Sequence, residues 1–474
     1  MNSDIQYTEL SNCPMRNESK TKIIATIGPS SWDRAVLQKM YENGMSVARI
    51  NASFADLEEL KRVAETIRSI SPRIGLMLDT QGHKIRVEGL SQEMQIAGTI
   101  SIPNTFRISY PNLHEVVALG TRILLDDGTI QLAVKEIKDQ EVICEVLQPG
   151  LLKPNKTVNI PDADLNFPPI TEKDKADIAN AISLGFDFIS LSFIKSAKDL
   201  EIIRGLTVGS DIQLIAKIEN RHGVENFDEI LKAADGIMIA RGDLGIETPY
   251  ENVPILQKQM IYKCRAAGKP VIVATQMLES MKNSVIPTRA EVSDVANAVM
   301  DGTDATMLSA ETSTGRYPEQ AVLAMQKIAL KAESVLQQSP IYEHTSAPVE
   351  VDELCRNLCD ISANMKLKGV IVISNTGNTI RSLIRHRPNI QVWEVATKVS
   401  TIKQSSILHG VRGVYSNTLP TDRDECTERA VDLVYAQGEL DLNDKIAIIS
   451  GSSIRHNQTD AILEIVTVKD VINR

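Results

Sequence analysis

Lys217 and Glu219 lie two residues apart in the stretch 214–223, LIAKIENRHG, where an apolar run ends. That run, residues 212–218, predicts a buried β-strand. Residues spaced by two leave the same face of a strand, with their Cβ atoms about 6.6 Å apart. A cation beside a carboxylate suits an anionic substrate and a divalent metal ion, although a structural ion pair explains the two residues equally well when they are taken alone.

Polar residues also follow most other apolar runs of the chain: Arg49, Asn51, Asp79, Thr80, Ser192, Arg241, Asp243, Thr275, Ser309 and Glu311. Glu219 and Asp243 are hard oxygen ligands of the kind that Mg²⁺ or Mn²⁺ prefers. Arg49, Arg86 and Lys217 suit a migrating phosphoryl group, where catalysis is mainly positioning and charge stabilisation. The turn RGDLG at 241–245 offers backbone N–H groups to a carboxylate. The pattern predicts metal-dependent phosphoryl transfer that involves a small acid.

The elements that position these residues alternate between strand and helix in about eight units, the number that closes a (β/α)8 TIM barrel. A doubly wound open sheet is the alternative, but no glycine-rich dinucleotide turn follows the first strand. We predict a leader at 1–21, a barrel at 22–86 and 157–338, an inserted all-β lid domain at 87–156 and a C-terminal α/β domain at 339–474. The DDG sequence at 126–128 predicts a hairpin turn in the lid.

Composition restricts the class of protein. A net charge of −10 argues against nucleic acid as the main partner. No apolar run approaches the ~18 residues of a membrane span, and the polar N-terminus does not resemble a signal peptide. The six cysteines show no disulfide or metal-site spacing. We therefore expect a cytoplasmic protein with free thiols and no membrane partner.

Several of these stretches resemble pyruvate kinases: TIGPSS (26–31), ARINAS (48–53), LDTQGHKIR (78–86), IAKIENRHG (215–223), IMIARGDLGIE (237–247), ATQMLESM (274–281) and residues 287–312. The resemblance implies a barrel with a β-rich lid after its third strand, a regulatory C-terminal domain and a homotetramer. It also implies phosphoryl transfer from phosphoenolpyruvate to ADP with Mg²⁺ or Mn²⁺, giving pyruvate and ATP in the last step of glycolysis.

The resemblance also implies a role for each matching residue. Lys217 stabilises the transferring phosphoryl group, Arg49 binds phosphate, and Arg86 lies near the same phosphates. Glu219 and Asp243 bind the metal ion, and Gly242, Asp243 and Thr275 hold the substrate carboxylate. Asn51, Ser53, Asp79 and Thr80 form a monovalent-cation pocket, and Pro29 and Arg49 lie at the nucleotide. Water near Thr275 and Ser309 is one candidate for the proton donor.

Two stretches of the sequence depart from the family pattern. Many members have DTKGPEIR where this chain has DTQGHKIR, so Lys84 replaces a glutamate and Gln81 a lysine. An ammonium group at the cation pocket predicts activity without potassium, whereas a lysine at the surface of the lid hinge is the alternative. Phe54 replaces a histidine beside the nucleotide, which leaves the base preference open.

In the C-terminal domain, the turn at 373–381, ISNTGNTIR, resembles a phosphate-binding effector loop. Its predicted contacts are Ser374, Asn375, Thr376, Gly377 and Asn378, whose backbone N–H groups are able to cradle a phosphate. Asn375 and Asn378 replace the basic residues of bisphosphate-binding loops. We expect a singly phosphorylated effector, a sugar monophosphate or AMP, with an ordinary capped turn as the alternative.

Two other functions fit parts of the sequence. A different barrel enzyme that uses phosphoenolpyruvate or pyruvate would share the metal pair and the carboxylate site but not the inserted lid. A catalytically silent, metabolite-sensing homologue would fit Gln81 and Phe54, but Lys217, Glu219 and Asp243 are all present. We therefore expect an active kinase.

Overall fold

The computed structural model describes residues 19–336, 341, 349–374, 376–451 and 461–472. The strands are β1 (Lys22–Thr26), β2 (Met45–Asn51), β3 (Gly75–Asp79), β4 (Ile85–Glu88), β5 (Met94–Ile96), β6 (Thr99–Ile102), β7 (Arg107–Ile108), β8 (Arg122–Leu125), β9 (Ile130–Lys138), β10 (Glu141–Gln148), β11 (Gly150–Leu152), β12 (Thr157–Asn159), β13 (Phe188–Leu191), β14 (Gln213–Ile218), β15 (Gly236–Ala240), β16 (Val271–Ala274), β17 (Ala305–Leu308), β18 (Gly369–Ile373), β19 (Gln391–Ala396), β20 (Val411–Tyr415), β21 (Lys445–Gly451) and β22 (Ala461–Thr467).

Most of the helices alternate with the strands of the barrel and of the C-terminal domain. They are α1 (Arg34–Glu42), α2 (Leu57–Ile70), α3 (Leu113–Val116), α4 (Glu172–Ser183), α5 (Ala197–Leu206), α6 (Arg221–Glu225), α7 (Phe227–Ala233), α8 (Arg241–Glu247), α9 (Val253–Ala266), α10 (Arg289–Asp301), α11 (Ala310–Ser313), α12 (Pro318–Glu333), α13 (Val349–Met365), α14 (Asn378–Ile384), α15 (Val399–Gln404), α16 (Arg423–Ala436) and α17 (Val468–Ile472). Short 3₁₀ turns lie at Pro29–Ser31, Tyr250–Asn252, Glu279–Lys282 and Ser405–Ile407.

The central element is a closed parallel barrel with the strand order β1-β2-β3-β13-β14-β15-β16-β17. Closure confirms the predicted (β/α)8 barrel and excludes the open sheet. Ile24, Met77, Phe188, Met238 and Met307 are buried together in one cluster inside it. Because side chains alternate along a strand, residues two positions further on share the same face, and Asp79 and Ser309 among them line the mouth of the barrel.

The lid lies between β3 and β13, as the broken strand–helix rhythm predicts. Its main sheet has seven strands in the order β6-β10-β9-β8-β12-β4-β7, and β5 pairs with β11. The sheet begins at Ile85 and ends at Asn159, so it extends a few residues beyond the predicted limits of 87 and 156 at both ends. Asp126, Asp127 and Gly128 have positive φ angles in the tight β8–β9 turn, which agrees with the predicted hairpin.

The C-terminal domain has a five-stranded sheet in the order β20-β19-β18-β21-β22, which is parallel except for β22. We did not predict β22. Residues 1–18 of the predicted leader lie outside the described residues, but the backbone N–H groups of Lys20 and Thr21 donate to Glu333 at 2.9 and 2.7 Å. The last two residues of the predicted leader are therefore bonded to the barrel helix α12.

Candidate active site

A cavity of about 210 Å³ opens at the C-terminal ends of the barrel strands. Its polar lining includes most of the predicted ring: Arg49, Asn51, Ser53, Asp79, Thr80, Lys84, Ser192, Lys217, Glu219, Asp243, Thr275 and Ser309. The apolar part of the lining, Met238, Ala240, Ala274 and Met307, was not predicted, because buried strand residues give no signal of their distance from the mouth. Gln81 also lines the cavity.

Asp79 is the centre of the charged network in this cavity. Its Oδ2 accepts hydrogen bonds from Arg49 Nε at 3.1 Å and from Ser190 Oγ at 2.7 Å. Its Oδ1 accepts one from Lys217 Nζ at 3.1 Å. Burial alone would raise the pKa of Asp79, but the charges of Arg49 and Lys217 outweigh burial and hold that pKa well below its ordinary value. Asp79 is therefore a charged acceptor that fixes both cations.

Lys217 has three oxygen partners at the base of the cavity. Besides Asp79, its Nζ donates to Ser192 Oγ at 2.7 Å and lies 3.4 Å from Glu219 Oε2. Burial lowers the pKa of Lys217. The negative charges of Asp79 and Glu219 together raise that pKa by more than burial lowers it, so the net shift is upward. The ammonium group is therefore held charged at the base of the cavity.

Glu219 is fully buried, with 0% of its surface exposed. Its Oε1 accepts a hydrogen bond from the Phe193 backbone N–H at 2.7 Å, whereas its Oε2 accepts none from the part of the chain that the structure describes. Burial raises the pKa of Glu219, the charge of Asp243 adds to this, and Lys217 opposes it only in part. A buried carboxylate oxygen without a hydrogen bond has room for a cation as an additional partner.

Thr275 lies in a strained loop after β16. Thr275 and Gln276 have φ angles of 70° and 54°, a left-handed conformation that is costly for a β-branched residue. Arg241 holds this loop because its Nη2 donates to the carbonyl oxygens of Thr275 at 2.8 Å and Gln276 at 3.2 Å. Thr275 Oγ1 accepts a hydrogen bond from the Gly242 N–H at 2.7 Å. The loop therefore brings a hydroxyl group beside the first turn of α8.

The comparisons with known proteins agree with this geometry. The family models described as "Pyruvate kinase, barrel domain" and "Pyruvate kinase, alpha/beta domain" match residues 18–322 and 352–466. A pyruvate kinase of Geobacillus stearothermophilus is 39% identical over 478 aligned residues, which cover 96% of this chain and 81% of that protein. The chain belongs to the pyruvate kinase family.

Two other relatives support the assignment. A pyruvate kinase of Bacillus licheniformis is 39% identical over 476 aligned residues, 96% of this chain and 81% of that protein. The crystal structure of a pyruvate kinase from Cryptosporidium parvum superposes with a TM-score of 0.86 at 33% identity and covers 98% of both chains. Membership of the pyruvate kinase family makes this chain a phosphotransferase of glycolysis.

The residues that the family resemblance assigns to Mg²⁺ fit that ion. Mg²⁺ is usually held by one or two carboxylates, with water and phosphate oxygens completing its coordination. Glu219 and Asp243 both line the cavity, and Glu219 Oε2 accepts no hydrogen bond from any described residue. In the part of the chain that the structure describes, no cluster of three or more carboxylate, histidine or cysteine ligands forms a complete protein cage. The two carboxylates therefore suit an ion that is shared with substrate.

Five residues that the sequence predicts at the barrel mouth do not line this cavity, and one of them is Gly242, whose N–H donates to Thr275 Oγ1. Arg241 turns away to an ion pair with Asp294 at 2.7 Å, and Glu311 accepts the N–H groups of Leu278 and Ser309. Arg86 lies on β4, where its Nη1 donates to the Asn155 carbonyl oxygen at 3.0 Å. The remaining residue, Pro29, is exposed in a 3₁₀ turn after β1.

Lys84 lies at the edge of the cavity. Its Nζ is 3.8 Å from Asp243 Oδ2 and 5.7 Å from the centre of the Phe193 ring. It therefore faces one of the metal-type carboxylates. Phe54, the other departure from the family pattern, is 84% exposed.

The predicted effector turn lies between β18 and α14, and its Asn375 falls outside the described residues. Ser374 Oγ accepts a hydrogen bond from the Gly377 N–H at 3.0 Å, as in an ordinary capped turn. Beneath the turn lies Glu394, which is 1% exposed and which the sequence analysis missed. A Cβ added at Gly377 would lie 3.9 Å from Glu394 Oε1.

Glu394 has few partners for a buried acid. Ser405 Oγ donates to its Oε2, and none of the described residues donates a hydrogen bond to its Oε1. Burial raises the pKa of Glu394 to about 7, which the Ser405 hydrogen bond and the charge of Arg381 oppose only in part. The turn thus covers a carboxyl group that changes charge near neutral pH.

Proposed function

We propose that this chain transfers the phosphoryl group of phosphoenolpyruvate to ADP, giving pyruvate and ATP, in the cytoplasm and without a requirement for potassium. The observation that carries the proposal is the Lys217 ammonium group, fixed by Asp79 and Ser192 at the base of the cavity, with Glu219 beside it. This is the placement of charge that phosphoryl transfer needs, because positioning and charge stabilisation supply most of its catalysis.

In the proposed reaction, an ADP β-phosphate oxygen attacks the phosphorus of phosphoenolpyruvate, and the bond from phosphorus to the enolate oxygen breaks. The enolate then takes up a proton and becomes pyruvate. Lys217 stabilises the charge on the moving phosphoryl group, and Arg49, held by the same Asp79, binds phosphate oxygens. The Gly242 N–H and the Thr275 hydroxyl, which are bonded to each other in the structure, would hold the substrate carboxylate.

Glu219 and Asp243 would hold Mg²⁺ or Mn²⁺, which supplies positive charge to the phosphate and enolate oxygens when it is bound. The proton of the final step is assigned to no side chain. Thr275 and Ser309 both line the cavity, so water held between them is a candidate donor. We propose that Pro29 lies near the nucleotide and Arg86 near the phosphates in the reacting complex. This arrangement would require the lid to close over the barrel.

The activity is tested by ³¹P NMR of the purified protein with phosphoenolpyruvate, ADP and Mg²⁺. We expect the phosphoenolpyruvate signal to disappear and the ATP signals to appear, with one pyruvate formed for each ATP. Omission of ADP should stop both changes. Folded protein that forms no ATP, even with sugar monophosphates and AMP added, would contradict the proposal and favour a silent metabolite sensor.

We assign the proposed independence of potassium to Lys84, whose side chain lines the same cavity as the predicted cation pocket of Asn51, Ser53, Asp79 and Thr80. A fixed ammonium supplies the positive charge that a bound potassium ion would otherwise supply. The test is Lys84→Glu, which restores the residue that many family members carry. We expect potassium to stimulate this variant at least about tenfold, since tenfold in rate corresponds to only about 1.4 kcal/mol. Equal activity with and without potassium in the variant would contradict this role.

We also propose a homotetramer and a singly phosphorylated effector, a sugar monophosphate or AMP, at Ser374–Asn378. The exposed apolar side chains of Ile255, Val292 and Met300 on α9 and α10 support an interface between subunits. Light scattering that gives the mass of one subunit would contradict the tetramer. For the effector, unchanged kinetics after addition of glucose 6-phosphate, ribose 5-phosphate or AMP would contradict the proposal.

A further inference from the structure

The turn 81–84 joins the barrel strand β3 to the lid strand β4, and a buried carboxylate on another element holds it. Asp174 is 1% exposed and lies in the first turn of α4, the helix that follows the lid. Its Oδ1 accepts the Gln81 N–H at 2.9 Å, and its Oδ2 accepts the Gly82 N–H at 3.3 Å and the Thr171 hydroxyl at 2.7 Å. The Asp174 side chain therefore connects the segment that leads into the lid with the helix that follows the lid.

Gly82 presses this turn against the catalytic side of the barrel. Its φ angle is +66°, and a Cβ added there would lie 2.8 Å from Ser192 Cβ and 2.9 Å from Phe193 Cδ2. Ser192 Oγ accepts the hydrogen bond of Lys217, and the Phe193 N–H donates to Glu219. The turn is thus in direct contact with the segment that holds the two central catalytic groups.

The next two residues of the turn are also fixed. The His83 ring stacks on Phe167 with centroids 4.5 Å apart and an interplanar angle of 9°, and Tyr110 of the lid meets Phe167 edge-on at 5.2 Å. Lys84 follows at once and extends over the Phe193 ring toward Asp243. The direction of the Lys84 side chain therefore depends on the backbone at Gln81 and Gly82.

We propose that Asp174 is a positioning residue for Lys84: its carboxylate holds the backbone of the 81–84 turn so that the Lys84 ammonium group faces Asp243 and the cation pocket. The inference rests on the proposed role of Lys84. Asp174 itself does not line the cavity, so it acts only through the turn. An ionised carboxylate is suited to this task because it accepts from two backbone donors and a hydroxyl at the same time.

The test is Asp174→Asn, which keeps the shape of the side chain but replaces one acceptor oxygen by a donor. Pyruvate formation is measured in sodium-free buffer with and without potassium, and the ratio is taken within one sample, so that loss of folded protein cancels. We expect the wild-type ratio to be near one and the variant ratio to rise about tenfold, the usual scale for loss of a group that orients a functional residue. Glu172→Gln is the matched control, because Glu172 lies in the same helical turn but pairs with the exposed Lys175 rather than with the 81–84 turn.

A double-mutant cycle with Lys84→Glu separates the possible outcomes. If Asp174 acts through Lys84, Asp174→Asn will not change the potassium ratio of Lys84→Glu further. Additive effects of the two substitutions, or an unchanged ratio in Asp174→Asn alone, would overturn the positioning role. A wild-type enzyme that itself needs potassium would instead refute the role of Lys84 on which this inference rests.

Discussion

Two buried carboxyl groups, Asp79 in the barrel and Glu394 in the C-terminal domain, show how differently the two halves of the molecule treat charge. Asp79 has two cations and a hydroxyl group within hydrogen-bonding distance, and its pKa is held well below the ordinary value. Glu394 has one hydroxyl group, and burial raises its pKa to about 7. Burial acts in the same direction on both, so the neighbouring cations make the difference.

The consequence is a difference in what each region is able to bind. In the barrel, Asp79 stays charged and keeps Arg49 and Lys217 in place for an anionic substrate. In the C-terminal domain, an anion above Gly377 would lie close to a carboxyl group that loses its proton near pH 7. The charges around Asp79 therefore suit the proposed phosphate ligand over a wide pH range, whereas the proposed effector turn favours anions less as the pH rises.

The largest effect is expected for Lys217→Met, which removes one of the two cations that are bonded to Asp79 in the barrel cavity. We expect the rate of pyruvate formation to fall by about 10³-fold, the scale for loss of a group that stabilises transition-state charge. Lys269→Met is the control, because Lys269 Nζ donates to three carbonyl oxygens outside the cavity. A Lys217→Met enzyme with more than about a tenth of wild-type turnover would contradict the assignment.

Asp79→Asn tests whether the acid is needed to hold the two cations together. Removing one member of a buried charged network costs about 3–5 kcal/mol, because the remaining charges lose their partner. We expect a loss of this size in the free energy of unfolding, measured by urea denaturation at pH 7. A variant as stable as wild type would show that Arg49 and Lys217 do not depend on Asp79.

Glu394→Gln tests the buried carboxyl group whose pKa is raised rather than lowered. The pKa of Glu394 is about 7 in the fold and 4.5 ordinarily, so the folded state binds an extra proton between these pH values. The stabilising contribution of Glu394 to the free energy of unfolding is therefore fully present below pH 4.5, and it is lost as the pH rises to about 7. We expect the variant to match wild type near pH 4.5 and to exceed it at pH 8 by up to about 3 kcal/mol.

The check is the urea unfolding of both proteins at several pH values between 5 and 8. Ser405→Ala offers a contrast, since it removes the donor to Glu394 and should raise the pKa of that carboxyl group further. A stability difference between Glu394→Gln and wild type that does not change with pH would show that Glu394 does not titrate in this range.

The smallest effect is expected for Ser192→Ala, which removes one of the three oxygen partners of Lys217. A hydrogen bond to a charged group contributes about 1.5–3 kcal/mol, but Asp79 and Glu219 remain. We expect pyruvate formation to fall by about fivefold to tenfold while the fold is retained. Loss as large as in Lys217→Met would mean that Ser192 has a direct part in the reaction.

The sequence predicted the catalytic side of this comparison well because the barrel imposes a regular rule. Side chains alternate along each strand, so Ile215, Lys217 and Glu219 share a face, and the ends of parallel strands meet at one mouth. The same rule failed for Arg241. The chain enters α8 at that residue, and the helical backbone turns the side chain away from the mouth.

The sequence predicted the C-terminal domain less well for physical reasons. Glu394 lies between apolar neighbours in β19, and no local pattern shows that its strand is covered on both faces. β22 pairs antiparallel with β21 along a sheet edge that only the tertiary fold defines. Arg86 depends in the same way on the pairing of β4 with β12, which are far apart in the chain.

The account is tested most directly by the rate at which the wild-type protein forms pyruvate from phosphoenolpyruvate, ADP and Mg²⁺ in sodium-free buffer, with potassium added or left out. The charges fixed around Asp79 and the ammonium group of Lys84 predict rapid turnover in both, with rates that differ by less than about twofold. Turnover only with potassium would contradict the role of Lys84, and no turnover in either buffer would contradict the catalytic assignment itself.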